Sequence, residues 1–246
     1  HEPVENSRRM GCNETMIAII PLFADSTSEF HDTFRQAVAS DCDWIELRLD
    51  RMLAARTEAE VLQLLLSLDP GGKTLLYTLR TDREGGEAAV SDREYHRILR
   101  SLSGLPGLVD VELSRIGPDT PLDSVTDPGR TILSFHDFHE TPADLDRIWQ
   151  SMEAWHPYMQ KIAVMPQAEN DVNRLLESCR DHRTASGKIA IAMGETGTIS
   201  RLWGDRWSSA ATFCTLKESS APGQLSLAEW LVKRSGKDGL KSGRDC

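Results

Sequence analysis

The sequence contains no apolar stretch of about 18 residues, the length that a membrane-spanning helix needs, so we predict no contact with a membrane. Its first residues include neither an apolar core nor a cleavage site of small residues, and we therefore expect no signal peptide. These two absences favour a globular protein that works in an aqueous compartment.

Cysteines at metal-binding spacing are also missing. The five cysteines are odd in number and widely separated, and no Cys-x-x-Cys pair occurs, which argues against a zinc site or a disulfide framework. Free thiols are typical of a reducing compartment, so we expect a cytoplasmic location. The five are Cys12, Cys42, Cys179, Cys214 and Cys246.

Positive charge is scarce, because 28 Lys and Arg against 38 Asp and Glu give a formal net charge of −10. This balance argues against nucleic acid as a partner. It does not argue against a small anionic substrate, since a pocket can be locally cationic within an acidic protein.

Short apolar segments recur along the 246 residues and mostly alternate with segments of helical spacing such as 57–68. This alternation predicts parallel βα units, and eight of them in this length predict an α/β fold of the (β/α)8 TIM-barrel type. A doubly wound sheet is the alternative, although no G-x-G-x-x-G follows an early strand. We expect a polar extension at 1–14, one barrel at 15–234 and a polar tail at 235–246. The predicted strands are 16–23, 44–49, 74–79, 108–113, 131–135, 161–165, 188–193 and 210–216.

Lys161 stands at the head of the predicted strand 161–165. Burying an ammonium without a partner costs several kcal/mol, roughly enough to make such a lysine release its proton. A neutral amine in a dry pocket attacks ketones and forms imines, also called Schiff bases. A lysine that extends into solvent from a strand end is the structural alternative.

Polar residues recur at the strand ends, where a barrel places its active site. On the second strand they alternate, so we expect them on one face. Near other strand ends they occur singly or in pairs, and salt bridges inside the barrel are the structural alternative. They are Glu46, Arg48, Asp50, Arg80, Asp110, Glu112, His136, Lys161 and Arg201.

Together these motifs resemble those of the type I 3-dehydroquinate dehydratase family. They occur in the same order as in that family and span about residues 16–232. The matching segments are Glu46-x-Arg48-x-Asp50, Thr78-x-Arg80-x3-Glu84-Gly85-Gly86, Ser134-x-His136-Asp137-Phe138-His139, Lys161-Ile162-Ala163-Val164-Met165-Pro166, Ile199-Ser200-Arg201, Ser209-Ala210-Ala211-Thr212-Phe213 and Ser220-Ala221-Pro222-Gly223-Gln224.

The resemblance implies a homodimeric barrel of the shikimate pathway that converts 3-dehydroquinate into 3-dehydroshikimate without a metal or cofactor. It implies that Lys161 forms the imine, that His136 is the general acid/base and that Glu84 holds His136. It further implies two groups of substrate contacts. Those near the ring hydroxyls are Glu46, Arg48 and Arg80, and those near the carboxylate are Arg201, Ser220 and Gln224.

Three features depart from the family pattern. The seventh predicted strand runs into Met193-Gly194-Glu195, where relatives often have a run rich in serine and methionine. Pro21 occupies a place where the family usually offers a serine to the substrate, and proline has no hydroxyl to supply. The region before the first strand does not resemble the family's N-terminal hairpin.

Three other functions compete with this interpretation. A class I aldolase would use the same imine but cleave a carbon–carbon bond, and the chain has no late glycine-rich phosphate loop. A metal-dependent hydrolase could use His136 and His139, but no third ligand stands at metal spacing. A non-catalytic metabolite-binding barrel would need neither Lys161 nor His136, so the presence of both argues against it.

Overall fold

A computed structural model describes residues 16–23, 27–216 and 223–235, and its described residues contain eight parallel β-strands. The sheet order is β7-β6-β5-β4-β3-β2-β1-β8. The strands are β1 (Ile17–Leu22), β2 (Trp44–Arg48), β3 (Thr74–Thr78), β4 (Leu108–Glu112), β5 (Thr131–Asp137), β6 (Met159–Val164), β7 (Gly187–Ala192) and β8 (Ala211–Phe213).

Two hydrogen bonds connect the edges of this sheet. The amide of Ala210, just before β8, donates to the carbonyl of Lys188 on β7 at 2.7 Å. The amide of Ala190 donates to the Ser209 hydroxyl at 2.9 Å. The sheet is thereby nearly closed, and the predicted (β/α)8 barrel is confirmed.

Helices cover the outside of the barrel, but they do not alternate strictly with the strands. Two helices separate β2 from β3, whereas β4 and β5 are joined by 3₁₀ turns at Leu113–Arg115, Leu122–Ser124 and Pro128–Arg130. The helices are α1 (Thr27–Ala39), α2 (Leu49–Ala55), α3 (Glu58–Leu66), α4 (Asp92–Ser101), α5 (Leu145–Glu153), α6 (Glu169–Asp181), α7 (Thr198–Trp203) and α8 (Leu227–Ser235). None of these helices is long and apolar enough to cross a bilayer.

Side-chain caps set where two of these helices begin. The Thr57 hydroxyl accepts from the Glu60 amide at 3.3 Å while the Glu60 carboxylate accepts from the Thr57 amide at 2.8 Å, a capping box that starts α3. Asp144 accepts from the Arg147 amide at 3.0 Å and caps α5. The first helical residue of α5 is therefore Leu145.

The inward residues of the strands form two regions along the barrel axis. Near the amino ends they are apolar, and we name this set the apolar floor. Toward the carboxyl ends of β2 to β6 most of them are polar, and we name that polar set the polar layer. The apolar floor consists of Ile19, Trp44, Leu76, Leu108, Ile132, Met159, Ile189 and Ala211. The polar layer consists of Glu46, Thr78, Arg80, Asp110, Glu112, Ser134, His136 and Lys161.

The outward residues of the strands pack against the helices in a separate apolar core. Strand residues such as Ile45 and Val111 meet helix residues such as Leu65, Leu99 and Trp149 there, all fully or nearly fully buried. A parallel barrel thus buries both faces of every strand. This double burial is why polar inward residues need partners inside the protein.

Three sequence expectations require correction or fall outside the structure. Asp50 was expected on β2 with Glu46 and Arg48, but β2 ends at Arg48 and Asp50 lies in α2. Lys161 is the third residue of β6 and does not begin it. The predicted extension 1–14 and residues 236–246 of the predicted tail lie outside the described residues, and Ser235 belongs to α8.

Candidate active site

A cavity of about 220 Å³ opens at the carboxyl ends of the strands, above the polar layer. It brings together most of the site residues expected from the sequence, which come from five strands or loops and from one helix. Its lining includes Glu46, Arg48, Arg80, His136, Lys161, Arg201 and Gln224. Glu84 lies behind His136, and Ser220 lies outside the described residues.

The Lys161 amine projects from β6 into this cavity and is only 5% exposed. Its Nζ lies 3.5 Å from Asp110 Oδ2 and 4.4 Å from the centre of the Phe213 ring. Burial lowers the pKa of Lys161; Asp110 opposes this shift and the Arg80 guanidinium adds to it. The net lowering of the pKa favours the neutral, nucleophilic amine.

Arg80 is the centre of an ion-pair network below the cavity. Its Nη2 donates to Asp110 Oδ1 at 2.7 Å, and its Nη1 donates to Glu112 Oε1 at 3.2 Å and to Ser134 Oγ at 3.2 Å. Glu112 also accepts from the Thr81 amide at 2.8 Å and from the Thr81 hydroxyl at 2.6 Å. The buried charges are therefore paired and hydrogen-bonded, as a low-dielectric interior requires.

His136 lies on β5 and is held by Glu84. Glu84 Oε2 is 2.9 Å from His136 Nδ1 and accepts from the His136 amide at 3.1 Å. Burial raises the pKa of Glu84 to about 7. Burial also lowers the pKa of His136 well below its usual range, and the cations Arg80 and Lys161 add to that shift. A neutral imidazole whose Nδ1 is occupied has Nε2 available for a proton transfer.

Glycines shape the turn that carries Glu84. Gly85 has φ +76°, a left-handed conformation that favours glycine, and the Phe138 ring packs where its side chain would be. A Cβ at Gly86 would clash with the Arg80 carbonyl oxygen. The Gly-Gly pair therefore lets the turn fold back against β3, which places Glu84 under His136.

Glu46 and Arg48 occupy the β2 side of the cavity. Glu46 accepts from the Thr78 hydroxyl at 2.7 Å. Arg48 donates to both carboxylate oxygens of Asp50, at 2.9 and 2.7 Å, and stacks 5.1 Å from the centre of the Phe23 ring. Asp50 thus orients Arg48 from the start of α2, although it is not on the strand.

Arg201 reaches the cavity from α7. Its Nε is buried and has no hydrogen-bond partner in the part of the chain that the structure describes. Burial lowers the pKa of Arg201. A buried N–H without a partner is costly, and a carboxylate could accept from Arg201 Nε and from a neighbouring Nη in the two-pronged geometry of a guanidinium.

One wall of the cavity is apolar. Pro21, Ala163, Ile191 and Met193 line it, and Phe213 adjoins them. Pro21 is paired in register with Glu46, so its ring faces the inside of the barrel at the position where the family pattern has serine. The cavity therefore offers a ligand polar and charged contacts on one side and an apolar surface on the other.

Sequence reasoning left several contributing residues without a role. Asp110 and Glu112 stand out in the sequence as inward charges, but their contacts with Arg80 and Lys161 cross the barrel. Ser134 and Phe213 lie within matching motifs, yet only the fold places them beside Arg80 and Lys161. The alternation of β4 was the sole signal for Asp110.

His139, the second histidine of the motif, is in a different place. It lies in the exposed loop after β5, and its amide donates to Asp137 Oδ1 at 2.8 Å. It does not line the cavity that holds Lys161. Among the described residues, no group of three or more His, Cys, Asp or Glu side chains is arranged to hold a metal ion.

A family model described as type I 3-dehydroquinase matches residues 18–231. The chain is 34% identical over 230 residues to a 3-dehydroquinate dehydratase of Klebsiella pneumoniae subsp. pneumoniae, covering 88% of this chain and 90% of that protein. It is also 34% identical over 224 residues to a 3-dehydroquinate dehydratase of Enterococcus faecalis, covering 85% and 87% respectively.

Solved structures show the same similarity. A type I 3-dehydroquinate dehydratase from Clostridium difficile, with covalently modified comenic acid, superposes with a TM-score of 0.84 at 29% identity, covering 93% of this chain and 94% of that one. A 3-dehydroquinate dehydratase from Geobacillus kaustophilus gives a TM-score of 0.81 at 26% identity, covering 94% and 93%.

Proposed function

Because the chain belongs to the type I 3-dehydroquinase family, we propose that its barrel converts 3-dehydroquinate into 3-dehydroshikimate and water through an imine on Lys161. The observation that carries this proposal is the pairing of a buried lysine with a neutral histidine in one pocket. The family match favours dehydration over the aldolase alternative that the sequence left open.

The first half of the reaction needs a nucleophile and a base. The neutral Lys161 amine attacks the C3 ketone to give a carbinolamine. The carbinolamine takes up one proton from solvent and loses water, which leaves a protonated imine that withdraws electrons from C2. His136 Nε2 then removes the C2 proton and leaves an enamine. Glu84 supports this step because it occupies Nδ1 and fixes the imidazole orientation.

The second half returns the protons. The enamine expels the C1 hydroxyl, which takes a proton from the His136 imidazolium and leaves as water. A second water molecule then hydrolyses the conjugated protonated imine, which releases 3-dehydroshikimate, the neutral Lys161 amine and the proton that was taken up at the start. One histidine serves both proton transfers, because the proton that its imidazole takes from C2 is the proton that it then gives to the leaving hydroxyl.

Substrate recognition would divide the pocket into two ends. Arg201, with its unpaired Nε, binds the carboxylate, and Gln224 assists it from the loop before α8. Ser220, which lies outside the described residues, is proposed for the same end from the family resemblance. Glu46, Arg48 and Arg80 order the end that receives the ring hydroxyls.

The direct test is an absorbance assay for the enone of the product, starting from 3-dehydroquinate. We expect turnover by the wild-type chain that persists in EDTA, and none by Lys161→Met. The Lys161→Met variant keeps an unbranched side chain of similar length but has no amine. Turnover by Lys161→Met at the wild-type rate would refute the imine mechanism.

Three further properties are proposed from the family resemblance and composition. We propose a homodimer, a cytoplasmic location and one catalytic unit spanning 15–234. The described cysteines Cys42, Cys179 and Cys214 are buried free thiols, which supports a reducing compartment. Sedimentation velocity tests the dimer, for which a single boundary near twice 27.4 kDa is expected.

A further inference from the structure

The Lys161 nitrogen lies between two groups that come from opposite sides of its strand. Asp110 is on β4, two strands from β6 in one direction around the barrel, and Phe213 is on β8, two strands away in the other. Asp110 Oδ2 is 3.5 Å from Lys161 Nζ, and the Phe213 ring centre is 4.4 Å from it. An anion and an aromatic ring therefore both contact the atom on which the imine would form.

The two oxygens of Asp110 have different partners. Oδ1 accepts from Arg80 Nη2 at 2.7 Å and from the Ser134 hydroxyl at 2.7 Å, which fixes the carboxylate in place. Oδ2 contacts Lys161 at the longer distance of 3.5 Å. The carboxylate is thus held by other groups and presents one oxygen to the lysine.

Phe213 presents a ring to the same nitrogen. A distance of 4.4 Å to the ring centre is within the range of about 6 Å over which a cation is attracted to an aromatic ring. The ring lines the pocket and Lys161 is only 5% exposed, so the contact has little access to bulk water.

Resting on the proposed imine chemistry, we infer that Asp110 and Phe213 form a binding site for positive charge at the Lys161 nitrogen and keep the imine protonated. In the free enzyme the lowered pKa of Lys161 favours the neutral amine, which gives the two groups less charge to bind. After the imine forms, its protonated nitrogen carries a full positive charge at the same place. Interactions that strengthen only along the reaction accelerate it.

Protonation of the imine matters for the chemistry. An unprotonated imine withdraws electrons weakly, so the C2 proton would become harder to remove. Arg80 limits the opposite effect, because its bond to Asp110 partly neutralises the carboxylate and prevents it from locking the free lysine as an ammonium. Asp110 and Phe213 therefore act on the intermediate more than on the resting enzyme.

The test combines turnover with cyanoborohydride, which reduces protonated imines, during incubation with 3-dehydroquinate. Asp110→Asn keeps the shape and the acceptor for Arg80 but removes the charge. Because breaking a buried charge pair has a large effect, we expect kcat and the trapping rate on Lys161 to fall by about 10²-fold. We expect KM to change little. As the pH rises, trapping should begin to decline at a lower pH than in the wild type, because the imine loses its proton more easily without the carboxylate.

Phe213→Leu is the independent second variant. Leucine is apolar and fills most of the space that the phenylalanine side chain occupies. Losing the aromatic ring should lower kcat and trapping by roughly 2- to 30-fold. Phe135→Leu is the matched control, because Phe135 is on β5 but packs in the outer core, away from Lys161. In the Phe135→Leu variant the imine on Lys161 should be trapped at the wild-type rate.

The outcomes separate this inference from the proposed function. If the wild type traps no adduct on Lys161, the imine mechanism itself is wrong. If the wild type traps normally and folded Asp110→Asn and Phe213→Leu also keep kcat and trapping within twofold, the charge site is refuted. If Asp110→Asn does not fold, the comparison of Phe213→Leu with Phe135→Leu decides alone.

Discussion

The apolar floor and the polar layer lie on the same barrel strands but differ in what they contribute, one to stability and the other to the chemistry of the site. Leu76 of the floor and Arg80 just beyond β3 are separated by only a few residues, and both are buried. Burial of each large apolar side chain in the floor contributes about 1.5–3 kcal/mol to stability. A buried ion pair is often no better for stability than apolar residues of the same size. The polar layer is therefore retained for binding and chemistry, while the apolar floor stabilises the barrel.

The most direct test of this difference is to remove one polar side chain next to the cavity and, separately, a similar one outside it. His136→Ala should lower kcat by about 10²–10⁴-fold, because two proton transfers depend on His136. His139→Ala should have little effect, since His139 lies in an exposed loop. Steady-state kinetics on 3-dehydroquinate check this, and greater damage from His139→Ala would contradict the assignment.

The converse experiment targets the apolar floor. Leu76→Ala should reduce the free energy of unfolding by about 2–5 kcal/mol, because Leu76 is 0% exposed and its removal leaves a cavity. The molecules that remain folded should keep kcat/KM near the wild-type value. Leu66→Ala is the control, since Leu66 is 71% exposed and its loss should cost little stability. Urea unfolding of both variants decides, and equal losses would contradict the role of the floor.

A smaller effect is expected at the edge of the cavity. Arg201→Ala should lower kcat/KM at least about tenfold, because charge-assisted hydrogen bonds contribute roughly 1.5–3 kcal/mol each. Arg201→Lys should recover only part, since an ammonium lacks the two-pronged guanidinium geometry. On a substrate analogue without the carboxylate the mutation should matter far less. Equal losses on both compounds would show that Arg201 does not bind the carboxylate.

The smallest expected effect is a pH dependence of stability at Glu84. Its pKa of about 7 in the folded protein lies above that of an ordinary carboxyl, so the folded state holds a proton that the unfolded chain releases. The resulting stabilisation is complete below about pH 4.5 and disappears as the pH rises through 7. Tm of the wild type minus Tm of Glu84→Gln should therefore fall between pH 5 and 7. A difference that rises over this range would contradict the raised pKa.

The sequence was sufficient to predict the barrel because its signals are local. Alternation and turn residues placed all eight strands, with errors of a few residues, such as β6 beginning at Met159 before Lys161. The family motifs also identified most of the residues that line the cavity. These features depend on near neighbours in the chain, so short patterns reveal them.

What the sequence could not supply depends on contacts between distant residues. The link from Asp110 to Lys161 joins positions 51 residues apart, and the link from Arg80 to Ser134 joins positions 54 apart. Asp50 pairs with Arg48, although the chain turns into α2 one residue earlier than predicted. The irregular β4–β5 connection gave no periodic signal, because its turns are only three residues long.

The central claim, that the polar layer exists to make Lys161 a nucleophile for a ketone, has one direct test. The wild-type chain is incubated with 3-dehydroquinate and borohydride, and the modified peptide is then located by mass spectrometry. The account predicts one reduced adduct, on Lys161, with activity lost in proportion to its yield. An adduct on another lysine, such as the buried Lys188, or no adduct while turnover continues, would contradict it.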